Sequence, residues 1–185
     1  MNLLIIGSGA REHSFAWKIF NSKHDIKIFV TNPNAGISKI SFCVDVDIND
    51  FVYVKKMIIR HSIEIVLIGP EIPLINGISD FIQNDETLKH VSVIGPSQKG
   101  SMLEGSKEFA KNFMAKYSIP TASYKSFDKS TFDQAVRFIN ENTPPYVLKA
   151  DGPAAGKGVI IVNDPDEAVK NLEDMLLNSK FGKSS

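Results

Sequence analysis

The sequence predicts an α/β protein, with a doubly wound parallel sheet over residues 1–96 and a smaller α+β unit over residues 97–185. Three observations predict this. Short unbroken apolar runs alternate with stripes of helical period, the rhythm of βαβ units. Three of those runs close on Gly7, Gly69 and Gly95, at what would be the carboxyl edge of the sheet, where such folds place their ligands. After Pro96 the rhythm changes to helices and short strands, ending in a strand pair joined by a glycine-rich loop.

The elements follow in order. Leu3, Leu4, Ile5 and Ile6 form an apolar run of the kind found in strands buried on both faces. A helix over about 12–21 comes next, because Phe15, Ala16, Ile19 and Phe20 make one stripe. Residues 26–30 return as a strand and complete a βαβ unit with a right-handed crossover. Asp50 can cap a helix carrying Phe51, Val54 and Ile58. Residues 65–68 and 91–94 are the next apolar strands.

In the second unit, residues 97–120 read as linker and helices, and 121–185 as a glycine-lid subdomain. Phe109, Phe113 and Tyr117 mark a helix that starts near Ser106 and stops before Pro120. A short strand is expected near 123–127, then a helix with Phe132, Ala135, Val136 and Ile139 on one face. Residues 146–150 and 158–162 read as the two strands, and Ala168, Leu172, Met175 and Leu176 as a last helix after Pro165. The tail ends without a capping element, so this unit reads as interrupted.

Composition excludes several classes of function. Twenty-one basic and twenty-one acidic residues leave no net charge, hence no global field to hold nucleic acid or an anionic membrane. The one cysteine, Cys43, cannot form an intrachain disulfide and suits a reducing cytoplasm, where it reads as a buried or half-buried apolar filler. No Cys or His pair has metal-ligand spacing, and no apolar run is long enough for a membrane span.

Four segments can carry chemistry. Gly7-Ser8-Gly9-Ala10-Arg11-Glu12-His13 lies at a strand-to-helix turn, where backbone N–H groups can meet an anion. Arg11-Glu12 stands where a dinucleotide fingerprint needs its third glycine, and no acidic residue follows the second strand, which disfavours a nicotinamide dehydrogenase. Taken alone, this turn is as readily a packing device as a phosphate or sugar site. Glu71, in Gly69-Pro70-Glu71-Ile72-Pro73-Leu74, is either a solvated turn acid or an acceptor for ligand hydroxyls at the same crevice.

The glycine-rich loop, Lys149-Ala150-Asp151-Gly152-Pro153-Ala154-Ala155-Gly156-Lys157-Gly158, departs from a Walker A loop in spacing and precedes a strand. It reads as a mobile hairpin lid whose amides and flanking lysines meet phosphates. The fourth segment is Ser106-Lys107, with Ser106 as a helix cap and Lys107 in the first turn, where the macrodipole disfavours a cation unless an anion is near.

With Asn34-Ala35-Gly36, Leu103-Glu104-Gly105-Ser106-Lys107 and Ile119-Pro120-Thr121-Ala122, these segments occur in an order that resembles the amino-terminal part of the phosphoribosylamine-glycine ligases, ATP-grasp enzymes of de novo purine synthesis. The resemblance covers essentially the whole chain. Ser8, Ala10, Thr31-Asn32-Pro33 and Pro153 depart from the usual residues, and Pro153 removes one N–H from the lid. It implies a pre-ATP-grasp domain followed by an incomplete ATP-grasp unit, in a cytoplasmic enzyme joining glycine to 5-phosphoribosylamine through glycyl phosphate.

On that resemblance, ATP would be contacted by Lys107, Lys149, Gly152, Ala154, Ala155, Gly156, Lys157 and Gly158, and phosphoribosylamine by Gly7, Gly9, Arg11, Glu12, His13 and Glu71. ATP and Mg²⁺ are the implied cofactors, with the metal ligands beyond this chain, and neither nucleic acid nor membrane is an implied partner. No general base stands out, and the chain alone is expected to be inactive. The competing expectations are a free-standing nucleotide or sugar-phosphate binding module and another ATP-grasp ligase.

Overall fold

A computed structural model describes residues 1–153, 157–178 and 180–181, arranged as two compact units, Met1–Ser101 and Met102–Ser185. The first unit holds a sheet of order β3-β2-β1-β4-β5, formed by β1 (Asn2–Ile6), β2 (Lys27–Thr31), β3 (Phe42–Val44), β4 (Ile65–Ile68) and β5 (Ser92–Ile94). Every pairing is parallel, with Leu4 opposite Phe29 on one side and Val66 on the other.

Alternation along the strands sorts side chains to two faces. Leu3, Ile5, Ile28 and Val30 pack with Ala16 of α1 (Ala10–Phe20). Leu4, Ile6, Phe29, Val66 and Ile68 pack on the opposite face with Val54 and Ile58 of α2 (Phe51–Arg60) and Ile78 and Ile82 of α4 (Ile78–Asn84). Burial on both faces explains the unbroken apolar runs, and Ile5, Ile6, Val30 and Val66 are fully buried. Asp50 caps α2 by accepting from the Tyr53 amide at 2.9 Å. The Lys55 ammonium of α2 meets Asp85, just past α4, at 2.5 Å. Hydrogen bonds from Lys55 and the Thr87 hydroxyl hold the Asp85 carboxyl down from 3.8 to about 2.

Strand order reverses beside β1, so the connections after β1 and β4 run to opposite sides and open a crevice beyond the carboxyl ends of these strands. Gly7 and Gly69 stand there. Three elements of this unit escape the apolar-run reading: β3, α3 (Glu71–Ile75) and α4. Cys43 on β3 is exposed rather than a buried filler, because β3 is an edge strand with only β2 beside it.

Helix α5 (Gln98–Gly105) contains the division between the units. In the second unit α6 (Lys107–Lys116) is capped by Ser106, whose hydroxyl accepts from the Phe109 amide at 3.0 Å. The expected strand near 123–127 is absent, and the segment has no ladder partner among the described residues. Side chains of α6 hold it instead, the Lys111 ammonium donating to the Ala122 carbonyl at 2.7 Å and the Tyr124 hydroxyl to Asn112 at 2.7 Å.

Strands β6 (Tyr146–Lys149) and β7 (Val159–Val162) pair antiparallel. Their inner face, with Tyr146, Leu148, Ile160 and Val162, packs on Ala135 and Ile139 of α7 (Phe132–Glu141) and Ala168 and Leu172 of α8 (Pro165–Leu176). Their outer face carries Val147, Lys149, Val159 and Ile161, all exposed, with Ile161 at 65%. No helix among the described residues is long and apolar enough to cross a membrane.

Candidate functional site

At the carboxyl edge of the parallel sheet, the loop after β1 is tied down by its own neighbours. The Gly7 amide donates to the buried Thr31 hydroxyl at 2.8 Å, and the Gly9 amide to Glu12 Oε2 at 2.7 Å. These two N–H groups are paired inside the protein. Asn34 braces the same loop: its side-chain amide donates to the Ser8 carbonyl at 2.8 Å, while its oxygen accepts from Gly36 and Ile37.

In the first turn of α1 the amides of Ala10, Arg11 and Glu12 have no described partner. There the helix dipole favours an anion. Glu12 lies in the same turn but is 4% exposed and points inward. His13 is half-buried, and a Cβ at Gly36 would overlap its imidazole, which accounts for the glycine at 36.

Glu71 opens α3, whose Pro70 N-cap and early Pro73 fall where a helix needs no amide donor. Its carboxylate lies 3.8 Å from the Arg11 guanidinium, which also stands 3.3 Å from Glu12 Oε1. The crevice thus gathers Arg11, Glu12 and Glu71 from the loops after β1 and β4. Donors at the helix start beside the half-exposed Glu71 carboxylate suit a ligand with an anionic end and hydroxyl or amine groups.

In the second unit the sequence places Lys107, Lys149, Gly152, Lys157 and Gly158 about the hairpin loop. Lys149 ends β6 on the exposed face, and Lys157 is exposed beyond it. Ala154, Ala155 and Gly156 lie outside the described residues. The anion expected near Lys107 proves to be Asp151, a residue the sequence reading passes over. Its carboxylate accepts from the amides of Lys107 at 2.6 Å and Glu108 at 3.2 Å and from the Ser106 hydroxyl at 2.9 Å. The Lys107 ammonium in turn donates to the Gly152 carbonyl at 3.0 Å. The start of the loop is consequently docked on α6, not loose.

Beside it a cleft of about 570 Å³ is lined by Lys107, Lys111, Lys125 and Lys149 together with Tyr124 and Tyr146. That volume accommodates a small-molecule ligand, and four lysines against the two acids Glu108 and Asp151 in its lining favour an anionic one. Among the described residues no group of three or more His, Cys, Asp or Glu could hold a metal ion.

Residues 1–104 match the family profile described as phosphoribosylglycinamide synthetase, N domain, and residues 105–185 match its ATP-grasp (A) domain. The chain belongs to the phosphoribosylglycinamide synthetase family. Within that family it is 40% identical over 184 residues to phosphoribosylamine-glycine ligase of Caldanaerobacter subterraneus, a match covering all of this chain and 43% of that protein. It is 41% identical over 182 residues to the ligase of Halalkalibacterium halodurans, covering 98% of this chain and 41% of the relative. A 38% match to the bifunctional purine biosynthetic protein of Saccharomyces cerevisiae covers all of this chain and 23% of the yeast protein.

The chain thus spans about two-fifths of the length of its single-function relatives. The crystal structure of phosphoribosylamine-glycine ligase from Thermotoga maritima superposes with a TM-score of 0.75 at 26% identity, over all of this chain and 42% of that one. An N5-carboxyaminoimidazole ribonucleotide synthetase matches in fold, with a TM-score of 0.70 at 19% identity over 92% of this chain and 44% of the other.

Proposed function

We propose that this synthetase-family chain is the part of a cytoplasmic phosphoribosylamine-glycine ligase that holds 5-phosphoribosylamine on its first unit and supplies lysines to ATP on its second. In the whole reaction a glycine carboxylate oxygen attacks the γ-phosphorus of ATP and ADP leaves. The amine of phosphoribosylamine then attacks the glycyl phosphate carbonyl, phosphate departs, and the new amide nitrogen loses a proton.

Each role follows from local chemistry. The Ala10 and Arg11 amides receive the 5-phosphate, Arg11 supplies its charge, and the half-exposed Glu71 accepts from ribose hydroxyls or the amine. Lys107 and Lys149 neutralise ATP phosphates at the lysine-lined cleft. The family implies Mg²⁺, but the described residues offer it no ligand cluster, and no step here is assigned to it.

The observation that carries this reading is the 3.8 Å approach of Arg11 to Glu71, which unites the loops after β1 and β4 at the switch point. Amide NMR of the ¹⁵N-labelled chain tests it. Ribose 5-phosphate should shift Ala10, Arg11 and Glu71, and ATP should shift Lys107 and Lys149. Glu71→Ala should weaken ribose 5-phosphate about tenfold, since one unpaired buried hydrogen bond costs about 1–3 kcal/mol, with the ATP-dependent shifts unchanged. Equal losses for both ligands would refute this division of labour.

A further inference from the structure

Glu12 is the one residue of the crevice whose chemistry the proposed reaction leaves unused. Its side chain is nearly inaccessible, Oε2 accepts one hydrogen bond from the Gly9 amide at 2.7 Å, and Oε1 accepts none. Arg11 Nε stands 3.3 Å from Oε1 as its charge partner. Burying a carboxylate with so little compensation is unfavourable, so what the side chain does for its surroundings has to offset that cost.

Three glycines surround it. A Cβ on Gly7 would come within 2.8 Å of Pro70 Cδ and 3.0 Å of Glu12 Cγ and Cδ, and one on Gly9 within 2.9 Å of Oε2. A Cβ on Gly69 would overlap Oε1 and reach 2.6 Å from Cδ. Gly7 and Gly9 belong to the loop after β1, whereas Gly69 follows β4. The side chain therefore runs from α1 across the gap between the two strand ends. It fills the space that side chains at all three positions would need.

We propose that Glu12 is a positioning residue, which sets the distance between the loops after β1 and β4 and so presents Arg11 and Glu71 to the ligand. The glycines at 9 and 69 answer to this carboxylate, whereas Gly7 answers also to Pro70 and to its own φ of 108°. The packing claim stands on geometry alone, and its ligand consequence rests on the sugar-phosphate reading above.

A double-mutant cycle on the 185-residue chain tests both levels. Gly69→Ala should lower the folding constant of the first unit at least about tenfold in the wild-type background and less than about twofold in a Glu12→Ala background, because contacting residues couple. In a Glu12→Gln background, which keeps the shape, Gly69→Ala should cost as much as in wild type. Should Glu12→Ala fail to fold, Glu12→Asp serves, since its shorter side chain withdraws from Gly69 and should shrink the penalty. Additive costs, or a penalty unchanged by Glu12→Asp, overturn the packing claim.

The second readout is affinity for ribose 5-phosphate, measured where every variant is folded. Gly69→Ala and Glu12→Ala should each weaken it about tenfold, and the double variant should bind no more weakly than Glu12→Ala. Unchanged affinity in the folded single variants overturns the positioning role and leaves Glu12 as packing only. Absence of saturable binding by the wild type would remove the sugar-phosphate reading instead, with the unfolding cycle still deciding what Glu12 does.

Discussion

The two units solve the same local problem, a glycine-flanked loop next to a helix start, with an acid placed differently. In the first, Glu12 reaches back from its own helix, is buried, and satisfies one amide of its own loop. In the second, Asp151 arrives from the far end of a strand and takes two amides at the start of α6 while remaining exposed. The surroundings differ in the same sense. The first loop leaves a sheet covered on both faces, the second a two-stranded hairpin with one face packed and one bare. Close local geometry is thus available in both places, but only the first is backed by a core on both sides.

The largest expected effect tests that contrast directly. Ile5→Ala, at a fully buried position of the central strand, should cost the first unit about 2–5 kcal/mol in denaturant unfolding. Ile161→Ala, on the bare face of the hairpin, should change the second unit by no more than about 0.5 kcal/mol. A large cost at Ile161 would show that the outer face is covered in solution and would break the comparison.

Asp151→Ala should come next, removing about 1–2 kcal/mol from the second unit in the manner of a lost helix cap. Hydrogen exchange at the Lys107 and Glu108 amides should accelerate with it. Protection retained at both amides would mean that Asp151 is not what holds them.

The smallest effect concerns pH. Because the Asp85 carboxyl titrates lower in the folded chain, the stability it lends through Lys55 is present above 3.8 and disappears as pH falls toward about 2. Thermal midpoints of wild type and Asp85→Asn should therefore differ at pH 5 and converge near pH 2. A constant difference would contradict the pairing.

The strands closed by glycines were legible because burial on both faces writes itself as an unbroken apolar run, as at Leu3, Leu4, Ile5 and Ile6. The helices of period 3.6 were legible for the same reason, down to the Asp50 cap. Helix α3 was not, since Pro70 and Pro73 look like breakers unless one knows that they sit before and within its first turn. The segment at 123–127 misleads in the other direction: its alternation suits a strand, but strand character needs a partner, and α6 supplies side chains instead.

At the site, sequence could name Arg11, Glu12 and Glu71 but not their separate roles, because exposure divides them and periodicity does not report it. Asp151 was invisible for a related reason. Its partners lie at Ser106, Lys107 and Glu108, and no local pattern announces a cap delivered from another element.

The position of β1 also bears on how the chain is made. It is the earliest strand of this sequence and the middle one of its sheet, with β2 on one side and β4 on the other. At roughly 5–20 residues per second, Ile65–Ile68 leaves the ribosome several seconds after Leu3. During that interval one edge of β1 has no ladder to join. Nascent chains halted before residue 65 should accordingly draw on chaperones that bind extended apolar segments, and those halted after residue 96 much less so.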